Sequence, residues 1–280
     1  MIAGKNIGII GKGIVGNAVE YGFKKFCDIK YYDKFQESDT LESVVKFAEH
    51  IFVCLPTLYK DNKIDLSIID ENMEEISYYA KSTDKIITIK STVVPGTTRN
   101  YSKKYPDCNF CFNPEFLTEA NYLEDFVNTD RVVVGSDNDR VRIRVMDLYR
   151  MHGFSKTPIF GTDLTTAEMV KYMANCFLST KVIFANEMYA LCEKLGIKYE
   201  EVKKMVVADK RIHDSHLDVT TSKGYGGKCF YKDMVALMGL YKDLDLDYSL
   251  LKSVHEKNLK IRKNHDWEEI PFVSGDMEKK

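Results

Sequence analysis

The sequence predicts an α/β protein, with a doubly wound parallel sheet in its N-terminal part followed by a mainly helical domain around one long central helix. Three observations carry that expectation. Up to about Gly161, short apolar runs alternate with helix-like stretches, the pattern of strands joined by crossover helices. A glycine-rich turn follows the first apolar run directly and opens a helix. From Thr165 to Leu195 there is neither Pro nor Gly, and the apolar residues keep a helical period over roughly 30 residues.

Taken in order, the expected strands are Asn6–Ile10, Ile29–Tyr32, Ile51–Leu55, Lys85–Ile89, Asn109–Phe112 and Arg131–Val134. Expected helices among them include Val15–Phe26, Leu41–Ala48 and Ser67–Ala80, with right-handed crossovers as the default. The long helix can be capped by Asp163 or Thr165 and is ended by Gly196. Helical segments Glu200–Val207, Lys232–Lys242 and Tyr248–Arg262 follow. The expected division is a dinucleotide-binding domain over 1–161, a helical central and catalytic domain over 162–265, and a polar tail over 266–280 that is frayed from about Ile270.

Composition narrows the function classes. Of the 280 residues 44% are hydrophobic and 29% charged, which suits a globular protein with a real core. A net charge of −2 supplies no general attraction to nucleic acid or anionic membrane. No apolar run approaches the ~20 residues that span a bilayer. The N-terminus reads as a first strand rather than a signal peptide, so a reducing, cytoplasmic setting is expected. Of seven cysteines, Cys27, Cys54, Cys108, Cys111, Cys176 and Cys192 lie in apolar contexts and read as buried small hydrophobes. Cys108 and Cys111 form a lone CxxC whose alternation suits a strand, and no metal site is expected.

The turn is Gly11-Lys12-Gly13-Ile14-Val15-Gly16, a G-x-G-x-x-G. Its first glycine permits the tight turn, its second lets backbone approach a pyrophosphate, and its third allows close helix–strand packing. The helix start then offers N–H groups and a positive dipole end to the phosphates. Asp33 lies 22 residues after Gly11, at the end of the second strand. A carboxylate there accepts from ribose hydroxyls and repels a 2′-phosphate, which favours NAD over NADP, although the adjacent Lys34 could tolerate that phosphate. The N-terminal part therefore reads as a Rossmann-like, NAD-binding unit.

Four further segments stand out: Ser91-Thr92-Val93-Val94-Pro95-Gly96-Thr97-Thr98, Asn113-Pro114-Glu115-Phe116-Leu117-Thr118-Glu119, Ala167–Asn175 and Gly224–Asp233. In order along nearly the whole chain, from Gly11 to about Arg262, these resemble the UDP-glucose 6-dehydrogenase family of nucleotide-sugar dehydrogenases. Phe52–Thr57 and Asp130–Gly135 add smaller echoes. The resemblance implies oxidation of a sugar primary alcohol to a carboxylate with two NAD, most simply UDP-glucose to UDP-glucuronate. Cys229 matches the nucleophile that holds the aldehyde as a thiohemiacetal and then a thioester. Local cations such as Lys228 and Lys232 favour a thiolate. Lys171 and Asn175, four apart and so on one helix face, match the pair that stabilises the oxyanion. Asp233 matches an aspartate that holds a water or the lysine, and Thr92 a threonine that positions the water. Glu115 matches the acid–base glutamate of thioester hydrolysis, and Glu119 a second acid nearby. The resemblance adds Pro56, Thr57, Thr92 and Glu119 to the cofactor contacts. It adds Glu115, Phe116, Leu117, Lys171, Asn175, Arg211, Tyr225, Gly226 and Gly227 to the substrate contacts.

Read singly, these residues have plainer explanations. Cys229 suits a buried structural cysteine, Lys171 a solvated helix face, and Glu115 a first-turn acid after Pro114. The family also implies a second nucleotide-binding domain after the central helices, which this sequence does not contain. UDP recognition is therefore expected to be weakened or supplied by another chain. His213 stands where the family's Arg-Ile-Gly has glycine, after Arg211 and Ile212. A homodimer is expected through the long helix, using Met169, Met173, Leu178, Ile183, Phe184, Met188 and Leu191. Two other readings stay open: a two-electron β-hydroxyacid-type dehydrogenase needing no cysteine, and a non-catalytic NAD-binding subunit.

Overall fold

The structure, a computed structural model, describes residues 6–60 and 63–268. The expected polar tail lies almost wholly outside them. The chain divides into two compact units. One holds the residues up to Thr57 together with Asp65–Lys171, and the other Leu58–Ile64 together with the residues from Tyr172 onward.

In the first unit the order is β1 (Asn6–Ile10), α1 (Ile14–Phe23), β2 (Asp28–Tyr32), α2 (Leu41–Phe47) and β3 (His50–Val53). After the short strands β4 (Leu58–Lys60) and β5 (Lys63–Asp65), which pair with each other, come α3 (Ser67–Ala80), β6 (Ile86–Ile89), α4 (Thr97–Lys104) and β7 (Asn109–Phe112). Then follow α5 (Tyr122–Val127), β8 (Val132–Gly135), α6 (Asp139–Met151), β9 (Ile159–Thr162) and the start of α7 (Leu164–Leu195).

The seven-stranded sheet has the order β2-β1-β3-β6-β7-β8-β9. Strands alternate their side chains between faces, so each strand feeds two cores. Ile7, Ile9, Phe52, Cys54, Cys111, Val132 and Val134 pack with α1, α5 and α6. Ile10, Ile51, Val53, Ile87, Ile89, Phe110, Phe112 and Val133 pack with α2, α3 and α4. Gly8 keeps the second face low, because a Cβ there would lie 2.8 Å from Val44 Cγ1 on α2. Phe23 anchors the first face among the rings of Phe52, Phe126, Tyr149 and Phe154, with centroids 5.2–6.0 Å away.

The expected uniformly parallel sheet needs one correction. The six-residue α5 is only about 9 Å long and returns the chain part of the way, so β8 pairs antiparallel with β7. β9 then runs parallel to β8. Elements not read from the sequence are α4, α5, α6, β4, β5 and β9. α6 nevertheless carried a signal: Asn138 accepts from Arg140 N and Val141 N, and Val141, Val145 and Leu148 form its buried stripe.

The second unit contains α7 from Tyr172 onward, α8 (Tyr199–Val206), α9 (Phe230–Asp243), α10 (Ser249–Ile261), β4 with β5 up to Ile64, and a 3-10 turn at Asp266–Glu268. Asp163 caps α7 through Thr166 N at 3.1 Å. Gly196, at φ +69°, ends it, with Ile197 N donating back to Cys192 O at 3.1 Å. Tyr199 packs with Ala185, Cys192 and Leu217, and its hydroxyl donates to Leu217 O at 2.8 Å. No helix among the described residues is long and apolar enough to cross a membrane. None of the seven cysteines is in a disulfide, and Cys108, unlike the other five apolar-context cysteines, is only half-buried.

His50, at the start of β3, is 1% exposed, and neither ring nitrogen has a hydrogen-bond partner. Burial, then the charges of Arg144 and His152, lower its pKa from 6.5 to about 3. The folded state therefore refuses a proton that the unfolded chain binds below pH 6.5. Stability is expected to fall by about 1.4 kcal/mol per pH unit between those values. Urea titrations from pH 7 to 4 should show that slope, and His50→Leu should flatten it by about one proton.

Candidate active site

The candidate residues fall into three clusters, two in the first unit and one in the second. The glycine turn lies where the strand order reverses between β1 and β3, the usual crevice for ligands in open sheets. Gly11 has φ +93°, and a Cβ on it would lie 2.7 Å from Cys54 O just past β3. A Cβ on Gly16 would lie 2.0 Å from Gly11 O, so the third glycine lets α1 pack on the turn. Gly13 differs: nothing lies within 4 Å of its would-be Cβ. It is the N-cap of α1 and bonds no N–H with its side chain, so the helix start faces open space. Ile14 and Val15 in the first turn are half-buried.

Asp33 is tied to this turn. Its Oδ2 accepts from Lys12 N at 2.7 Å and its Oδ1 from Phe35 N at 2.9 Å, while Lys34 is exposed. The Lys12 ammonium turns back to Asn17 Oδ1 at 3.0 Å and to Glu20. Its charge is thereby committed to α1. Open helix-start N–H groups beside a carboxylate at the end of β2 fit a dinucleotide with unmodified ribose hydroxyls. Pro56 is half-buried and Thr57 buried. Thr57 Oγ1 donates to the carbonyl of the half-buried Thr92 at 2.9 Å, and Ser91 Oγ to Leu55 O at 2.7 Å, lashing the ends of β3 and β6 together.

The second cluster centres on Glu115. Its Oε1 lies 2.7 Å from Lys171 Nζ, which also donates to Glu115 O at 2.9 Å. Its Oε2 accepts from Leu117 N at 2.7 Å. Both side chains are buried, so Lys171 does not lie on a solvated face. Burial alone would raise the Glu115 pKa. The Lys171 charge and hydrogen bond, then the Leu117 N–H, outweigh it and hold the carboxyl below its ordinary value. Phe116 beside it carries the Arg131 guanidinium 3.8 Å above its ring. Glu119 is exposed on the turn beyond Leu117, apart from this buried pair.

Three residues here went unread in the sequence. Lys90, ending the β6 run, donates to Asn113 Oδ1 at 2.7 Å and Asn113 O at 3.2 Å, and burial pushes its pKa down to about 8. Asn113 in turn accepts from Tyr149 and donates to Val133 O at 2.6 Å, which fixes the turn ahead of Glu115. Glu168 on α7 accepts from Gly96 N and from Thr98 N at 2.7 Å, holding the Ser91–Thr98 turn. A lysine closing an apolar strand, and an acid inside the quoted Ala167–Asn175 segment, were the available signals.

The third cluster is at the start of α9. Cys229 is its N-cap and is half-buried, and Asp233 N donates to Cys229 O at 2.9 Å. Asp233 is 1% exposed. Its Oδ2 accepts from Asn175 Nδ2 at 2.6 Å and its Oδ1 from Lys232 Nζ at 2.8 Å. Lys232, expected to serve the thiol, thus has a buried carboxylate as its ion-pair partner. Tyr225 is buried and Gly226 and Gly227 are half-buried in the preceding loop. Arg211 is exposed beyond α8 and chelates Asp209, with Nη2 to Oδ2 at 2.6 Å. Among the described residues no group of three His, Cys, Asp or Glu could hold a metal ion.

The turn and its acid, set where a doubly wound sheet reverses its order, are those of the dehydrogenase class of dinucleotide-binding proteins. Within that class the chain belongs to the UDP-glucose/GDP-mannose dehydrogenase family: residues 17–152 match its NAD binding domain and residues 165–260 its central domain. It is 34% identical over 240 residues to a UDP-glucose 6-dehydrogenase of Rickettsia bellii, covering 84% of this chain and 55% of that protein. The chain thus spans about half the length of the curated relatives it matches. A UDP-glucose dehydrogenase structure from Pyrobaculum islandicum superposes with a TM-score of 0.81 at 26% identity, covering 92% of this chain and 68% of that one. The fold alone is shared with a Mycobacterium tuberculosis 3-hydroxyisobutyrate dehydrogenase, at a TM-score of 0.73 and 15% identity over 94% of this chain and 95% of that one.

Removing one partner of a buried ion pair strands the other. Lys171→Met is therefore expected to destabilise the protein by about 3–5 kcal/mol at pH 7. With the cation gone, burial raises the Glu115 pKa, so the deficit should shrink as pH falls toward 5. Urea unfolding of the variant at both pH values reads this directly, and a pH-independent deficit would show that Glu115 is not the stranded charge.

Proposed function

We propose that this chain oxidises the primary alcohol of a nucleotide sugar, UDP-glucose to UDP-glucuronate, with two NAD per product and Cys229 as covalent nucleophile. The observation that carries the reading is the cysteine at the start of α9, one helical turn before the buried Asp233–Asn175–Lys232 cluster and directly after the glycine loop. NAD, bound at the glycine turn with Asp33 on its ribose, supplies the hydride acceptor for both oxidations. In the first, the alcohol loses a hydride and a proton and becomes an aldehyde. The Cys229 thiolate adds to the aldehyde carbon, and the Lys171 ammonium and Asn175 amide stabilise the oxyanion so formed. Loss of a second hydride converts this thiohemiacetal to a thioester. Thr92 positions a water, Glu115 accepts one proton from it as its oxygen adds to the thioester carbon, and the C–S bond breaks to release the thiolate and an acid whose remaining proton passes to solvent, leaving the carboxylate. Phe116, Leu117, Arg211, Tyr225, Gly226 and Gly227 hold the sugar. The setting is the reducing cytoplasm, where the thiol survives.

The stoichiometry tests this. With UDP-glucose and NAD, two NADH per uronate are expected, and Cys229→Ser should abolish uronate formation. One NADH per turnover with no thiol sensitivity would instead select two-electron chemistry, and a Cys229→Ser enzyme making uronate at the normal rate would exclude the thioester.

The reading includes a homodimer through α7. Met173, Phe177, Phe184, Leu191 and Leu195 recur at helical spacing and are 51–68% exposed, an apolar stripe that water disfavours. Ile183, expected to face a partner, is instead buried, one residue and so about 100° around the helix from the exposed Phe184. Phe184→Glu should convert the dimer to monomer in light scattering. A dimer unaffected by it would place the interface elsewhere.

A further inference from the structure

The loop before Cys229 has an unusual backbone. Lys223 has φ +52°, Gly224 φ +55° and Gly227 φ +72°, so three of its positions sit in the left-handed region. Asn186 on α7 accepts from Gly224 N at 3.2 Å, and the remaining contacts come from α10 and the turn that follows it. Asn258 on α10 is fully buried. Its Oδ1 accepts from Tyr225 N at 2.8 Å and its Nδ2 donates to Tyr225 O at 3.0 Å, a two-point grip on one peptide position. One turn later Arg262 Nη1 donates to Lys223 O at 3.0 Å and Gly224 O at 3.4 Å. The same guanidinium pairs with Asp266, Nη2 to Oδ2 at 2.9 Å, and that Oδ2 accepts from Gly227 N at 3.2 Å. Gly226 has no room between them, since a Cβ would lie 2.3 Å from both Arg262 Nη2 and Asp266 Oδ1. Trp267, 1% exposed, stacks on Tyr231 in the first turn of α9, with centroids 4.1 Å apart and planes 9° apart. Lys223 through Gly227, and then the helix start that carries the thiol, are thus gripped from the far end of the chain.

We propose that Asn258, Arg262, Asp266 and Trp267 form a clasp that positions Cys229 by locking the glycine loop and the first turn of α9. They are positioning residues, acting through the loop and touching no reacting atom. The catalytic consequence rests on Cys229 being the nucleophile, as argued above, whereas the geometric claim does not. A misplacement of an ångström at a reacting atom costs up to about a hundredfold in rate, so loosening the clasp is expected to lower kcat by about tenfold or more.

The test uses the whole chain with Asn258→Leu, Asp266→Ala, Asp266→Asn, Trp267→Ala and Trp267→Phe. The first readout is the rate at which iodoacetamide alkylates Cys229 across pH 6–9, by mass spectrometry of its peptide. Alkylation of Cys108, half-buried in the other unit, is the internal reference. The second is the kcat and KM split with UDP-glucose and NAD. Asn258→Leu and Asp266→Ala should shift the Cys229 alkylation profile by about fivefold or more in rate while leaving Cys108 unchanged. They should lower kcat about tenfold with KM for NAD within about twofold, since the dinucleotide turn is elsewhere. Trp267→Phe, which keeps a stacking ring, should stay near the parent, and Trp267→Ala should not. Should the alanine and leucine variants fail to fold, Asp266→Asn, which loses the charge that pairs with Arg262, carries the comparison against Trp267→Phe: the first should shift Cys229 alkylation and lower kcat, and the second should stay near the parent. Folded variants with parental Cys229 alkylation and parental kcat overturn the clasp. A Cys229→Ser protein that still makes uronate, with alkylation altered in the clasp variants, overturns the nucleophile and leaves the positioning standing.

Discussion

A carboxylate taken out of water is tolerable only beside a cation or a set of N–H groups, and much of this chain is arranged to meet that demand at Glu115, at Asp233 and, through the Gly96 and Thr98 N–H groups, at Glu168. In the first unit Glu115 is met by Lys171 at 2.7 Å and by a backbone N–H. In the second, Asp233 is met by Lys232 at 2.8 Å and the Asn175 amide at 2.6 Å. Each demand recruits its surroundings. Lys90, Asn113 and Tyr149 fix the turn that brings Glu115 inward, and α9 must begin where it does for Asp233 to lie in its first turn. A buried pair of this kind adds little net stability over an apolar core, but breaking it is costly, so it restrains geometry more than it adds strength.

Much of the scaffold was legible in the sequence, and for identifiable reasons. β1, α3, β7 and the long α7 were read to within a residue, because alternation and helical period are local signals and the cap at Asp163 and the stop at Gly196 mark the ends of α7. The short pieces were not. β4 and β5 have three residues each, too few for a period to declare itself, β9 lacks the buried apolar run that marks β7, and the reversal at β8 depends on the length of a helix that the sequence alone did not reveal.

The chemistry divides along the same line. Gly11 and Asp33 stood out by type and spacing, and Glu115, Lys171 and Cys229 through the family resemblance of the segments that hold them. Their partners did not: Lys90 is 23 residues from Asn113, Glu168 is 70 from Thr98, and Asn258 is 33 from Tyr225. Such contacts exist only once the chain is folded. Lys232 was read for its closeness to the thiol, and the fold adds a partner that reading did not include, the buried Asp233.

The three glycines of the first turn illustrate how a fold can record something that is not part of itself. Gly11 and Gly16 are demanded by the protein's own atoms, a carbonyl past β3 and a carbonyl in the turn. Gly13 is demanded by nothing in the chain, since the space in front of it is open and its φ of −77° suits any residue. Selection for folding is blind at that position, whereas selection for a bound pyrophosphate is not. The turn therefore separates two evolutionary pressures within six residues. A lineage that lost its ligand but kept its fold would be expected to lose Gly13 first and to retain the glycines on either side.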